Sequence, residues 1–163
     1  MSINDFVFWG WDKKPRTMLR FVKPGDIFCF QQNDSNYRFG RIISKIMTGH
    51  VAEFFDHISR TPQITEEIIN KSEWLFSPIV IDTYGLFDKR VYKECDWRII
   101  GNQKNYTSPN LDDIYFTYGI DKWCKKIDIW GNETPISEEE ASSIPDLSPH
   151  GDYDVKQLIN SLK

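Results

Sequence analysis

The apolar residues of this chain come in short blocks separated by turn-forming residues, which is the pattern of a sheet rather than of long helices. Asp5-Phe6-Val7-Phe8-Trp9-Gly10-Trp11 reads as an aromatic strand, broken by Asp12-Lys13-Lys14-Pro15-Arg16. Lys23-Pro24-Gly25-Asp26 has the form of a tight turn, Pro presetting one dihedral and Gly free to take the next. Ile27-Phe28-Cys29-Phe30 is a continuous apolar run too short for a helix, so it predicts a buried strand. After a polar turn at 33–36, Tyr37-Arg38-Phe39-Gly40-Arg41-Ile42-Ile43 supplies the second arm of a hairpin. Val51, Phe54, Phe55 and Ile58 fit a helical stripe as well as a strand, and the breakers Gly49 and Pro62 favour the strand. Thr65 can cap a helix that begins Glu66-Glu67, with Ile64 stapled onto Ile69.

Ile79-Val80-Ile81 and Trp97-Arg98-Ile99-Ile100-Gly101 read as two further strands. Beyond Asn102 the loops thicken, and residues 114–118 and 123–130 add two aromatic stretches. Ser137-Glu138-Glu139-Glu140 has the form of a capping box, in a Pro-bounded span with room for a turn or two. Val155, Leu158, Ile159 and Leu162 make one stripe of a short amphipathic helix over 155–162. The expected fold is α+β, mostly antiparallel β, in one domain over residues 1–163. Its sheet, or small SH3-like barrel, would carry one crossing helix and a short C-terminal helix.

With 40% apolar and 15% aromatic residues, the chain is too hydrophobic for intrinsic disorder. No apolar run approaches the ~20 residues that span a bilayer, and no secretory pattern opens the sequence, so no membrane partner is expected. Three scattered cysteines, Cys29, Cys95 and Cys124, argue against a disulfide framework and for a reducing, cytoplasmic setting. The net charge of −4 is unevenly placed. Asp128, Glu133, Glu138, Glu139, Glu140, Asp146, Asp152 and Asp154 fall between Ile127 and Val155 with no Lys or Arg among them. Such a run is often plain solvated surface, but it also repels phosphate and attracts cationic partners. Direct nucleic-acid binding is therefore not expected.

Catalytic motifs are absent: no nucleophile elbow, no phosphate-cradling glycine loop and no Cys-x-x-Cys spacing. No enzyme activity, metal or cofactor is expected. Cys29 lies in an apolar strand, where a thiol is inert. His50, Glu53 and His57 would share a helix face as a metal set, but on a strand His50 turns away from the other two. Trp74, Trp97 and Trp123 are expected in the core. Tyr115, Tyr118 and Trp130, set among the acids, have the composition of a protein-binding patch. The candidate contact residues are Tyr115, Tyr118, Trp130, Asp128, Glu133, Glu138, Glu139, Glu140, Asp146, Asp152 and Asp154.

The hairpin from Pro24-Gly25-Asp26-Ile27-Phe28 to Phe39-Gly40-Arg41-Ile42-Ile43 resembles the opening of the immunity protein 26 family, with a likeness extending over residues 23–131. The strand 79–81 and the Trp-led strand at 97 fall where that family also has strands. The resemblance implies an immunity protein of a bacterial toxin-delivery system, such as contact-dependent growth inhibition. Its partner would be a cognate toxin C-terminal domain, commonly a nuclease and so a basic protein. The same hairpin is also similar to the SH3-like barrels of toxin–antitoxin ribonucleases, in which Arg38 and Arg41 would hold phosphate and His57 would move protons. The acidic balance counts against that alternative. A non-enzymatic regulatory binding module is a third reading.

Overall fold

Two antiparallel sheets make up the computed structural model, which describes residues 5–89 and 96–162; Cys95 lies outside them. The larger sheet contains β1 (Phe6–Phe8), β2 (Asp26–Gln31), β3 (Tyr37–Ile46), β4 (Gly49–Ser59), β5 (Ile79–Ile81) and β6 (Trp97–Gln103). Their order across it is β1-β6-β2-β3-β4-β5. The smaller sheet pairs β7 (Tyr115–Tyr118), β8 (Lys125–Asp128) and β9 (Glu133–Pro135) in sequence order. Both sheets are open, so the fold is α+β but not the SH3-like barrel. Closure would require β5 to meet β1, and the free side of β5 is taken instead by the backbone of His150, which accepts from Asp82 N and donates to Val80 O.

The turn before β2 is stitched on three sides. Gly25 takes φ +91°, donates to Ile42 O at 2.8 Å and accepts from Gln103 N at 2.8 Å. The buried Asp26 carboxylate accepts from Lys23 N (3.0 Å) and Asn102 Nδ2 (2.8 Å), which ties the turn to β6. Burial pushes this carboxyl up, against the pull of those two hydrogen bonds.

One face of the large sheet carries Phe28, Phe30, Ile42, Ala52, Phe54, Trp97 and Ile99. Trp97 is wholly buried and stacks on Phe30, with ring centroids 3.9 Å apart. Helix α3 (Asp152–Asn160) covers this face with Val155 and Ile159, and a π-helical turn at Tyr84–Asp88 adds Leu86 and Phe87. α3 starts three residues earlier than the apolar stripe predicts, because the Asp154 carboxylate accepts from Gly151 N and secures its first turn. It ends before Leu162, which is exposed.

The opposite face has two apolar patches. Ile27, Cys29, Phe39, Phe55 and Ile100 lie under α1 (Glu66–Lys71), together with Ile64 and Ile69. Thr65 caps α1 as expected, its Oγ1 accepting from Ile68 N. Ile43, Val51 and Val80 lie under Phe116 of the small sheet and Ile114 just before it. Burial pushes the Cys29 thiol far up, which makes it a poor nucleophile. Trp74 is half-buried, but Trp123 is 67% exposed, contrary to expectation. It sits on a 3₁₀ turn between β7 and β8 and projects beside Lys122.

Residues 49–59 form a strand, and its period of two separates the two histidines. His50 is buried with Nδ1 2.8 Å from Thr83 Oγ1, while His57 lies against the Phe39 ring on the other side. Burial, reinforced by Lys45, holds the His50 pKa below its ordinary value. The stability that follows is present above the unfolded value near 6.5 and is lost as pH falls through the folded value. His50→Gln should therefore show a smaller drop in urea midpoint between pH 8 and pH 5 than the unaltered chain, His57 and His150 being common to both. Gly40 is required for a different reason: a Cβ there would strike the Phe28 ring and the Glu53 carbonyl oxygen. Gly40→Ala should cost about 1–3 kcal/mol in denaturant unfolding, the usual range for overpacking.

Candidate functional site

The small sheet holds four of the predicted residues, Tyr115, Tyr118, Asp128 and Glu133, and strand register decides which way the strand residues face. Phe116 opposes Ile127, and both turn inward onto the large sheet. Tyr115 opposes Asp128 on the outer face, where Lys126 Nζ lies 4.7 Å from the Tyr115 ring centroid and 3.1 Å from Glu140 Oε2. Tyr118, three positions along β7, falls on the opposite face from Tyr115. The two tyrosines therefore do not form one platform.

Asp128 shapes the β8–β9 turn. Its Oδ1 accepts from Trp130 N and Asn132 N, both at 2.9 Å, and its Oδ2 from Asn132 Nδ2 at 3.0 Å. Desolvation would raise this carboxyl, but hydrogen bonds from Asn132, Trp130 and Gly131 outweigh it and hold the pKa below the usual range. Trp130 is left more than half exposed.

The eight acids separate into two groups. Glu140 pairs with Lys126 rather than completing the capping box at α2 (Glu138–Ala141), although Ser137 Oγ accepts from Glu140 N as expected. Asp152 accepts from Trp97 Nε1 at 2.8 Å and pairs with Lys156, while Asp154 caps α3. With Asp128, these four carboxylates hold the chain's own structure. Glu133, Glu138, Glu139 and Asp146 are exposed, with no ion pair among the described residues.

A buried polar network lies elsewhere, between the two apolar patches under α1 and the small sheet. Register sets Arg41 opposite Glu53, and Arg41 Nε donates to Glu53 Oε2 at 3.0 Å. The same carboxylate accepts from Tyr106 Oη (2.5 Å) and Trp74 Nε1 (3.0 Å). Arg41 also donates to Gln103 Oε1 and stacks 3.9 Å from the Tyr106 ring centroid. Burial and the Glu53 charge push the Tyr106 hydroxyl up, so it stays protonated and donating. Arg41, Glu53, Trp74 and Tyr106 line a polar cavity of about 560 Å³. Opposite charges at facing strand positions are the sequence signal for this pair, which joins Arg41, expected to hold phosphate, to Glu53, weighed as a metal ligand. Arg38, assigned with Arg41 to phosphate, donates to Gln32 Oε1 at 2.6 Å.

Residues 23–126 match the family model described as Immunity protein 26, and no curated protein or solved structure matches the chain. The matched stretch includes the Gly25-Asp26 turn, Gly40, Trp97 and the Arg41–Glu53 pair, and it ends before every exposed acid named above. In that pair the side chains are 12% and 6% exposed. Glu53→Ala should therefore cost about 3–5 kcal/mol in denaturant unfolding, by leaving a buried guanidinium without its counter-charge. The double change Arg41→Met with Glu53→Leu should recover only part of that loss, because Tyr106 Oη and Trp74 Nε1 still lose their acceptor.

Proposed function

Since this chain belongs to the immunity protein 26 family, we propose that it protects its producer by binding and inactivating a cognate bacterial toxin domain, a basic nuclease of a contact-dependent growth-inhibition or related system. It acts in the producer's cytoplasm as a non-enzymatic inhibitor. Within the family assignment, one observation carries the choice of a basic partner: residues 127–155 hold eight acids and no Lys or Arg, and Glu133, Glu138, Glu139 and Asp146 stand on the surface. A nuclease that grips phosphate displays clustered Lys and Arg, and exposed carboxylates present the same charge as its substrate. Opposite charge steers diffusional encounter, lifting association towards ~10⁸–10⁹ M⁻¹s⁻¹ at low salt. Tyr115 and Trp130 add apolar contact area beside those charges. Asp128, Glu140, Asp152 and Asp154 contribute mainly by holding the surface in shape.

Co-expression with the toxin domain encoded in the neighbouring reading frame provides the test. The chain should restore growth and co-purify with the toxin. Replacing Glu133, Glu138 and Glu139 together by Lys should slow association about tenfold or more at low salt and flatten its salt dependence. Unaltered association and protection by that triple variant would show that the acidic end is not the contact.

A further inference from the structure

The β3–β4 hairpin turns over Met47-Thr48, and the Met47 side chain is fully exposed. Two-residue hairpin turns favour Asn, Asp and Gly, so nothing in the turn's own geometry calls for a large apolar residue. Beside it, the β8–β9 turn presents Trp130, 58% exposed. Between them runs a groove of about 280 Å³ lined by Ile46, Met47, Ile127, Ile129, Trp130 and Leu147. Ile46, Ile127, Ile129 and Leu147 also pack against the core around Phe116, so the floor is fixed. Thr48 Oγ1 donates to Leu147 O at 3.3 Å, and Asp128 pins the Trp130 backbone, so the two turns that carry the walls are held in place. Asp128 is the charged group in the lining; Asp146 adjoins Leu147 in the chain, and Glu133 opposes Ile127 across β8–β9. Among the described residues, no Lys or Arg lines the groove.

We infer that this groove is the anchoring pocket of the toxin interface, and that it takes one large apolar side chain flanked by Lys or Arg on the toxin domain. The inference rests on the immunity reading and extends the contact to the β3–β4 hairpin, outside the acidic run. Preformed apolar pockets ringed by charge are where binding energy concentrates, the charge setting encounter and the pocket setting residence time. A second copy of this chain fits less well, because two-fold association would bring Asp128, Glu133 and Asp146 towards their own equivalents.

The test measures binding of an inactivated toxin domain from the neighbouring reading frame to the chain and to Met47→Ala, Met47→Glu and Trp130→Ala. Each variant should weaken Kd about 30-fold or more through faster dissociation, with association rate and salt dependence unchanged for the two alanine changes. Met47→Ala should leave the urea midpoint where it was, since the side chain is fully exposed, so lost affinity could not be assigned to unfolding. If the unaltered chain binds and all three variants bind within about twofold of it, the pocket assignment fails and the immunity reading stands. If the unaltered chain neither binds nor protects, both fail. If sedimentation shows a dimer that Met47→Glu dissociates, the occupant is a second copy and the inference is overturned.

Discussion

Burial of the six-stranded sheet from both sides is the constraint on which the other elements depend. Its inner strands carry side chains that must leave water on each face, so β2 is apolar from Ile27 to Phe30 and β4 is buried without a break from His50 to Phe55. Neither face is covered by the sheet itself. α3 and the π-helical turn close one side over Trp97 and Phe28; α1 and the small sheet close the other. The Arg41–Glu53 pair stands where the two covers of that second side meet. Two buried charges there tolerate only the register that sets them opposite each other, because a slip by one residue would leave each without its partner.

Features set by neighbours in sequence were legible before the structure. The Gly25 turn, the hairpin, the Thr65 cap and the strand at 49–59 each depend on a few adjacent residues. The fate of the acids was not legible. Whether a carboxylate faces water or Trp97, as Asp152 does, depends on a residue 55 positions away. Likewise the capping-box pattern points Glu140 back at its own helix, but Lys126, brought alongside by the small sheet, claims it. Trp123 was placed in the core by its size, but a 3₁₀ turn carries it outward. Local pattern names the element; tertiary neighbours decide which side chains remain at the surface.

The residues that carry the family likeness have structural work to do. Gly25 lets Gln103 approach, Asp26 ties a turn to β6, Gly40 leaves room for the Phe28 ring, and Trp97 fills the centre of one face. A family match built on such positions reports a scaffold and speaks to its target only through the function that family members share. Glu133, Glu138, Glu139 and Asp146 are exposed, and so are Met47 and Trp130 at the rims of the groove. These six can change without disturbing a buried contact, whereas the floor of the groove is tied to the core.

Residues 145–150 lie along an edge of each sheet. Thr117 of β7 donates to Pro145 O and accepts from Leu147 N, and three residues later His150 engages the backbone on either side of Ile81 in β5. Two rows of backbone amides and carbonyls are thus capped by a stretch that leaves the ribosome after almost everything it covers. Until it arrives, the nascent polypeptide carries two unprotected strand edges, the feature that templates pairing between separate molecules. Self-association during synthesis is thus a hazard built into the order in which this architecture is made.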